Sequence, residues 1–138
     1  MPKVSFVIPA YNIESYIGRC IQSVKNQTFG DFEAIIVDDA STDSTPEKIV
    51  EAVGDDSRFK VVTHPTNQGL HLARKTAAAH TKGEWVFCLD GDDEVTPDFL
   101  EQVVARIDQN PVDILHLGIT VIPENGVSEA EAEGFGNF

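Results

Sequence analysis

Hydrophobic positions along this chain follow two different spacings. Four short runs are rich in apolar residues and predict strands, and the run at 32–37 is nearly continuous, as expected where helices cover both faces of a parallel sheet. Between these runs, apolar residues recur every three or four positions, as on the buried face of a helix. The runs lie at residues 3–8, 32–37, 59–62 and 85–89, and the first helical stripe is Ile13, Tyr16, Ile17, Cys20, Ile21 and Val24. The pattern therefore predicts strands and helices in alternation.

The later elements have recognisable starting points. Ser44 and Glu47 have the spacing of a capping box at the start of the second helix. A third helix is predicted after the loop at residues 64–69, a fourth after residues 96–97, and a further strand at residues 114–121. Alternation throughout the chain predicts an α/β fold with an open, mostly parallel sheet joined by right-handed crossovers.

Length and composition indicate one globular domain. The chain has 138 residues, of which 41% are hydrophobic and 24% charged, and these values are ordinary for a protein with its own core. Residues 1–122 carry the alternating pattern and are predicted to form the domain. In residues 123–138, Glu129, Glu131 and Glu133 lie among small residues and glycines. We expect this acidic segment to be a loop or linker that leads to a further segment.

The charge balance excludes one class of partner. Ten basic residues against 23 acidic ones give a net charge of −13, so no basic footprint for a nucleic acid is expected. The apolar start is interrupted by Pro9, well short of the ~20 residues of a membrane span or of a signal-peptide core. Cys20 and Cys88 lack metal-binding spacing, and both are predicted to be buried thiols in a reducing cytoplasm.

Unusual residues follow three of the predicted strands. Residues 9–12 follow the first strand, Asp38 and Asp39 the second, and residues 90–93, which read Asp-Gly-Asp-Asp, the fourth. Ligands of open α/β sheets bind beyond the carboxyl ends of the strands. Clustered carboxylates persist where a cation compensates them, and Mg²⁺ or Mn²⁺ suits such oxygen ligands. A bound cation would let this acidic region hold a diphosphate.

The neighbouring candidates each have a structural alternative. Asp39 is either a hydrogen-bond acceptor for a base or ribose, or a turn residue. Tyr11 is either a surface on which a base stacks, or a half-buried core aromatic. Gly69 is expected to permit a tight loop, and Arg74 is either a surface charge or a diphosphate contact. The four histidines have no ligand spacing, and we interpret them as structural: His64, His71, His80 and His116.

Two other protein classes share part of this pattern. A phosphatase of the haloacid-dehalogenase type also places Asp-x-Asp after a strand, but its motif requires Thr or Val where this chain has Glu94. A phosphoacceptor receiver domain has an acidic pair and a later aspartate, which Asp38, Asp39 and Asp90 imitate. It also requires a lysine after its last strand, and no lysine follows residues 114–121.

The ordered set of motifs closely resembles the inverting family 2 glycosyltransferases. The residues that carry the resemblance lie at 4–12, 27–29, 33–43, 67–69, 73–74 and 83–93. The resemblance implies the GT-A nucleotide-diphospho-sugar transferase fold, with an open, mostly parallel, Rossmann-like sheet flanked by helices. It also implies that the chain is the donor-binding part of such an enzyme, with a UDP-sugar as donor.

The resemblance further assigns roles to individual residues. Asp39 would bond to the uracil ring, and Arg74 would lie near the nucleotide together with Gly69. Asp90 would face the ribose beside Gly91. The residues that would line the nucleoside pocket are Pro9, Ala10, Tyr11 and Asn12, and those that would hold Mn²⁺ or Mg²⁺ are Asp92 and Asp93.

Members of the resembled family carry an acceptor site and a general base in a later segment. We expect that segment beyond Phe138, so this chain is predicted to be truncated and poorly active alone. The acceptor implied is a saccharide or a lipid-linked saccharide. Apolar surface that would meet the missing segment predicts a homodimer. We expect the full-length protein in the cytoplasm, peripheral to the inner face of the membrane.

Overall fold

A computed structural model of the protein describes residues 1–115, 117 and 118. Strands and helices alternate in it, as the hydrophobic spacing predicts. Residues 1–106 form one compact unit and a second begins at Ile107; the functional residues discussed below all lie in the first. The elements are β1 (Val4–Ala10), α1 (Ile17–Lys25), β2 (Phe32–Asp38), α2 (Thr45–Val53), β3 (Phe59–Thr63), α3 (Leu70–Ala79), β4 (Trp85–Cys88) and α4 (Phe99–Gln109).

The four strands form one parallel sheet in the order β3-β2-β1-β4. Strand β1 pairs with β2 along its whole length, from Val4 opposite Phe32 to Ala10 opposite Asp38. It pairs with β4 only from Val4 opposite Trp85 to Val7 opposite Cys88. Because all the strands run in one direction, their carboxyl ends lie at one edge of the sheet, where the polar motifs follow them.

Each face of the sheet packs against different helices. Phe6 and Ile8 of β1 belong to a core that also contains Ile17 and Ile21 of α1 and Ile49 of α2. The smaller core on the opposite face consists of Val7, Ile35, Val37, Ala73 and Ala77. Small alanines let α3 lie close to the sheet, which brings the residues of its first two turns to the carboxyl edge.

A buried glutamine at the end of α1 holds the start of α4. The Gln27 amide donates to the backbone oxygen of Thr96 at 2.7 Å and to that of Ser23 at 3.1 Å. Its Oε1 accepts the Leu100 N–H at 2.9 Å. A single buried side chain therefore bonds three backbone groups, and it supplies the acceptor for the N–H of the buried residue Leu100.

Gln27→Leu is expected to lower the free energy of unfolding by about 1–3 kcal/mol, the cost of leaving a buried backbone group such as the Leu100 N–H without its acceptor. Urea denaturation followed by circular dichroism measures this. Gln22→Leu is the matched control, since Gln22 is exposed on α1 and bonds only to Asn26 within the described chain. A loss in the Gln27 variant no larger than in the Gln22 variant would contradict the assigned role.

Several predicted details differ from the structure. Strand β1 continues through Pro9, which is tolerated because Pro9 lies beyond the last registered pair with β4. Cys88 is exposed, not buried, because β4 lies at one end of the described strand order; Cys20 is buried as predicted. Ser44 is the N-cap of α2 but makes no side-chain cap bond, so the capping box is wrong.

Some predictions fall largely on the undescribed part of the chain. Of the predicted strand at residues 114–121, only 114, 115, 117 and 118 are described, and none of these is in a strand. The boundary predicted after residue 122 and the acidic segment at 123–138 lie outside the described residues. Among the helices that the structure describes, none has the length and apolar character needed to cross a bilayer.

Candidate functional site

Backbone hydrogen bonds join the segments that follow β1, β2 and β4. The Asp39 N–H donates to Ala10 O at 2.9 Å, and the Gly91 N–H donates to Pro9 O at 3.2 Å. The side chains of Pro9 and Ala10 are buried beneath this junction. These bonds bring together the three motifs that the sequence places at strand ends.

The segment after β1 turns sharply and leaves an aromatic ring exposed. Asn12 has a φ of 47°, a left-handed conformation that asparagine adopts more readily than most residues. Its Oδ1 accepts the Thr42 N–H at 2.8 Å, and its own N–H donates to Ser41 Oγ at 3.1 Å. Asn12 thus joins the loops after β1 and β2. Tyr11, directly before this turn, is 46% exposed.

The turn after β4 groups three carboxylates. Asp90, Asp92 and Asp93 each offer an oxygen, and these oxygens lie within 4.8 Å of one another. Burial, followed by the negative charges of Asp92 and Asp90, raises the pKa of Asp93. The carboxylates therefore repel one another without full compensation, and a hard divalent cation fits this set of oxygen donors.

Gly91 permits this turn to lie against β1. A Cβ atom at this position would approach Pro9 O to 2.9 Å and Ile13 Cδ1 to 2.5 Å. The Asp93 N–H closes the turn by donating to Asp90 O at 2.9 Å. The absence of a side chain at Gly91 therefore fixes where the flanking aspartates lie.

Arg74 of α3 supplies positive charge at one end of the acidic group. Its Nη2 lies 2.6 Å from Asp90 Oδ1, and the pair is partly exposed. Asp92 and Asp93 have no such cationic partner among the described residues. Arg74 Nε is buried and has no hydrogen-bond partner within the described part of the chain. The site thus combines an uncompensated carboxylate pair with a guanidinium group that has one unsatisfied N–H.

Asp39 is buried at the end of β2, with 2% of its surface exposed. Its Oδ1 accepts from Gln68 N–H at 2.9 Å and lies 2.7 Å from His64 Nδ1, and its Oδ2 accepts from Gly69 N–H at 2.8 Å. Burial alone would raise the pKa of Asp39, but the bonds from Gln68, His64 and Gly69 outweigh burial, so its pKa is lowered. Asp39 is therefore an acceptor-only carboxylate at neutral pH.

Most of the sequence-predicted site residues converge at this edge of the sheet. Gly69 has a φ of 93° directly before α3, as expected for a glycine in a tight loop. His64 is structural, as predicted, but its contact with Asp39 is not visible in the sequence. No histidine spacing signals it, because the two residues lie in loops after different strands. The individual nucleotide and metal roles stay predictions.

Comparisons of the sequence with known proteins identify one family of enzymes. The sequence model of glycosyl transferase family 2 matches residues 5–136. The Escherichia coli UDP-Glc:alpha-D-GlcNAc-diphosphoundecaprenol beta-1,3-glucosyltransferase WfgD is 32% identical over 124 residues, which is 90% of this chain and 48% of WfgD. The haloacid-dehalogenase and receiver alternatives find no support in these relatives.

Two solved structures share the fold. S. aureus TarS 1–349 in complex with UDP-GlcNAc has a TM-score of 0.83 and 34% identity, covering 91% of this chain and 37% of TarS. The mannosyltransferase PcManGT of Pyrobaculum calidifontis, in complex with GDP-Man and Mn²⁺, has a TM-score of 0.72 and 27% identity, covering 80% and 34% of the two chains. The predicted fold class is confirmed.

The match to relatives concerns part of their length. The chain spans 30% of one curated relative from Bacillus subtilis (strain 168) and 48% of WfgD. Within that part, the family match over residues 5–136 includes the strands of the sheet and the grouped aspartates after β4. This chain belongs to glycosyl transferase family 2.

Proposed function

We propose that this chain binds the nucleotide-sugar donor of a glycosyl transfer reaction, with a UDP-sugar as donor and Mn²⁺ or Mg²⁺ held by Asp92 and Asp93. The observation that carries the proposal is the group of carboxylates after β4, whose oxygens lie within 4.8 Å of one another beside Arg74. The relatives add support, since TarS binds UDP-GlcNAc and the name of WfgD specifies UDP-Glc.

The parts of the site suit the parts of such a ligand. The exposed ring of Tyr11 offers a stacking surface for a base. Asp39 has one acceptor position left on Oδ2, which matches the ring N–H of uracil. Asp90 would accept a hydrogen bond from a ribose hydroxyl, and Arg74, which pairs with Asp90, would lie near the nucleotide. Pro9 and Ala10 contribute the buried floor, and Asn12 and Gly91 fix the loops that surround it.

The negative charge of the chain is one reason to propose a cation beside a diphosphate ligand. With a net charge of −13, the surface repels a nucleoside diphosphate, and Arg74 is already paired with Asp90. Asp92 and Asp93 would hold a divalent cation, which would supply the positive charge that compensates a diphosphate and a departing nucleotide. PcManGT, a neighbour in fold, contains Mn²⁺.

The acceptor, the stereochemistry and the general base of the reaction are proposals that rest on the family resemblance. We propose transfer with inversion to the hydroxyl of a saccharide or lipid-linked acceptor, and a general base beyond Phe138. The name of WfgD specifies a diphosphoundecaprenol-linked acceptor, which suits an enzyme that works at the inner face of a membrane. A homodimer stays a prediction.

Calorimetric titration of UDP tests the donor site. We expect binding in the presence of Mn²⁺ and a loss of at least about tenfold in affinity with EDTA, since the repulsion between diphosphate and carboxylates is then uncompensated. CDP is the matched control ligand, because its base lacks the ring N–H that Asp39 would accept. CDP should bind at least about tenfold more weakly than UDP, as expected when a buried acceptor loses its donor.

The comparison of Mn²⁺ with EDTA tests the metal site, and the comparison of UDP with CDP tests recognition of the base. Equal binding of UDP and CDP would remove Asp39 from base recognition and leave the metal-assisted diphosphate site in place. The absence of UDP binding with Mn²⁺ present would overturn the donor-site proposal as a whole.

A further inference from the structure

The imidazole of His64 joins two elements of the fold. It is buried in the loop between β3 and α3, with Nδ1 2.7 Å from Asp39 Oδ1 and Nε2 2.8 Å from Thr76 Oγ1. An ionised carboxylate only accepts hydrogen bonds, so Nδ1 carries the proton. Nε2 is hydrogen-bonded to the Thr76 hydroxyl, and the ring bridges the end of β2 to the middle of α3.

Asp39 uses these contacts to fix the beginning of α3. Its carboxylate accepts the backbone N–H groups of Gln68 and Gly69, the two residues directly before α3. Gly69 is the N-cap of α3, and its own N–H donates to Asp39, so the carboxylate fixes the segment that leads directly into the helix. His64 holds that carboxylate in place from the other side.

The same helix carries a group at the opposite end of the candidate site. Arg74 lies in the second turn of α3 and pairs with Asp90 at 2.6 Å. The position of α3 therefore sets both the loop around Asp39 and the reach of Arg74 toward the acidic turn. His64 is bonded to Asp39 and, through Thr76, to the helix itself.

We propose that His64 is a positioning residue for the nucleotide, which holds Asp39 Oδ2 and the start of α3 in the arrangement that receives the base. This inference rests on the proposed function. His64 does not touch the ligand; it acts through Asp39 and through α3.

Two substitutions at His64 test this role. His64→Asn keeps an N–H donor close to the position of Nδ1, whereas His64→Leu keeps bulk and removes the donor. In the presence of Mn²⁺, we expect UDP to bind His64→Leu about tenfold more weakly than the wild type, as for one lost bond to a charged group. Binding to His64→Asn should stay within about threefold of the wild type, a rescue that loss of packing alone would not produce.

A second readout needs no ligand. Amide hydrogen exchange at Gln68 and Gly69 is expected to be at least about tenfold faster in His64→Leu than in the wild type, and restored in His64→Asn. Thr76→Val removes only the hydroxyl that bonds to Nε2, and it provides the test if His64→Leu does not fold. It should show the same changes in the same direction, with a UDP affinity reduced about threefold.

The outcomes distinguish this inference from the donor-site proposal. Faster exchange together with weaker UDP binding, both rescued by asparagine, supports the positioning role. Unchanged exchange, or faster exchange with unchanged UDP affinity, overturns it. If the wild type binds no UDP, the donor-site proposal fails, and faster exchange at Gln68 and Gly69 in His64→Leu still supports the part of His64 in holding the loop.

Discussion

Asp92→Ala is expected to weaken Mn²⁺-dependent UDP binding at least about 100-fold, because changes to residues that only support metal ligands already cost about 10- to 100-fold. Asp92 is exposed and its carboxylate has no bonded partner among the described residues, so alanine should leave the fold intact. Calorimetry with Mn²⁺ and with EDTA measures both affinities. In EDTA the expected effect on affinity is the opposite. UDP should bind the variant about threefold more tightly than it binds the wild type, because one repulsive charge is absent.

Asp55→Ala is the matched control for this result. Asp55 is exposed and precedes β3, at the amino edge of the sheet, so the variant loses the same charge far from the grouped carboxylates. It should bind UDP like the wild type under both conditions. An equal loss in both variants would assign the effect to overall charge, and Mn²⁺-dependent binding that survives in Asp92→Ala would contradict the metal site.

Gly91→Ala is expected to lower the free energy of unfolding by about 2 kcal/mol, which is typical of overpacking at a site without space. The added Cβ would lie 2.9 Å from the backbone oxygen of Pro9, which belongs to the central strand and cannot move without disturbing the sheet. The turn that carries Asp92 and Asp93 would have to shift instead. Urea denaturation measures the stability, and UDP titration with Mn²⁺ should show weaker binding.

Gly18→Ala provides a control of the opposite sign. A Cβ at Gly18 meets nothing within 4 Å, and the residue lies in α1. Alanine there should raise the free energy of unfolding by up to about 1 kcal/mol, because glycine is the poorer helix former. Equal stability of the two variants would show that the turn after β4 has room that the static distances do not reveal.

Strands β1 and β2 are predictable from sequence because burial on both faces gives a nearly continuous run of apolar residues. The run at residues 32–37 predicts β2, which the structure extends by one residue to Asp38. The end of β1 is harder to predict, since Pro9 lacks an N–H and normally marks a strand end. Whether a proline is tolerated depends on where the neighbouring strand stops, and that is a property of the assembled sheet.

The sequence predicts at which edge of the sheet the candidate site lies, but not which residues of the site contact one another. Acidic residues after consecutive strands predict that Asp39 and Asp90 lie at one edge of a parallel sheet. The bond from His64 to Asp39 spans 25 residues and the pair of Arg74 with Asp90 spans 16. Such contacts depend on how α3 packs on the sheet, and residue spacing along the chain does not encode them.

Because β4 is short, it could detach locally from the sheet and disrupt the site. This strand has four residues and lies at one end of the described strand order. Among the described strands it pairs only with β1, from which a long stretch of sequence separates it. Segments with few buried contacts separate at a lower free energy than the core. Detachment of β4 would carry the grouped aspartates away while β1, β2 and β3 stay joined. Trp85, the chain's single tryptophan, lies in β4, so its intrinsic fluorescence would report this event from inside the strand concerned.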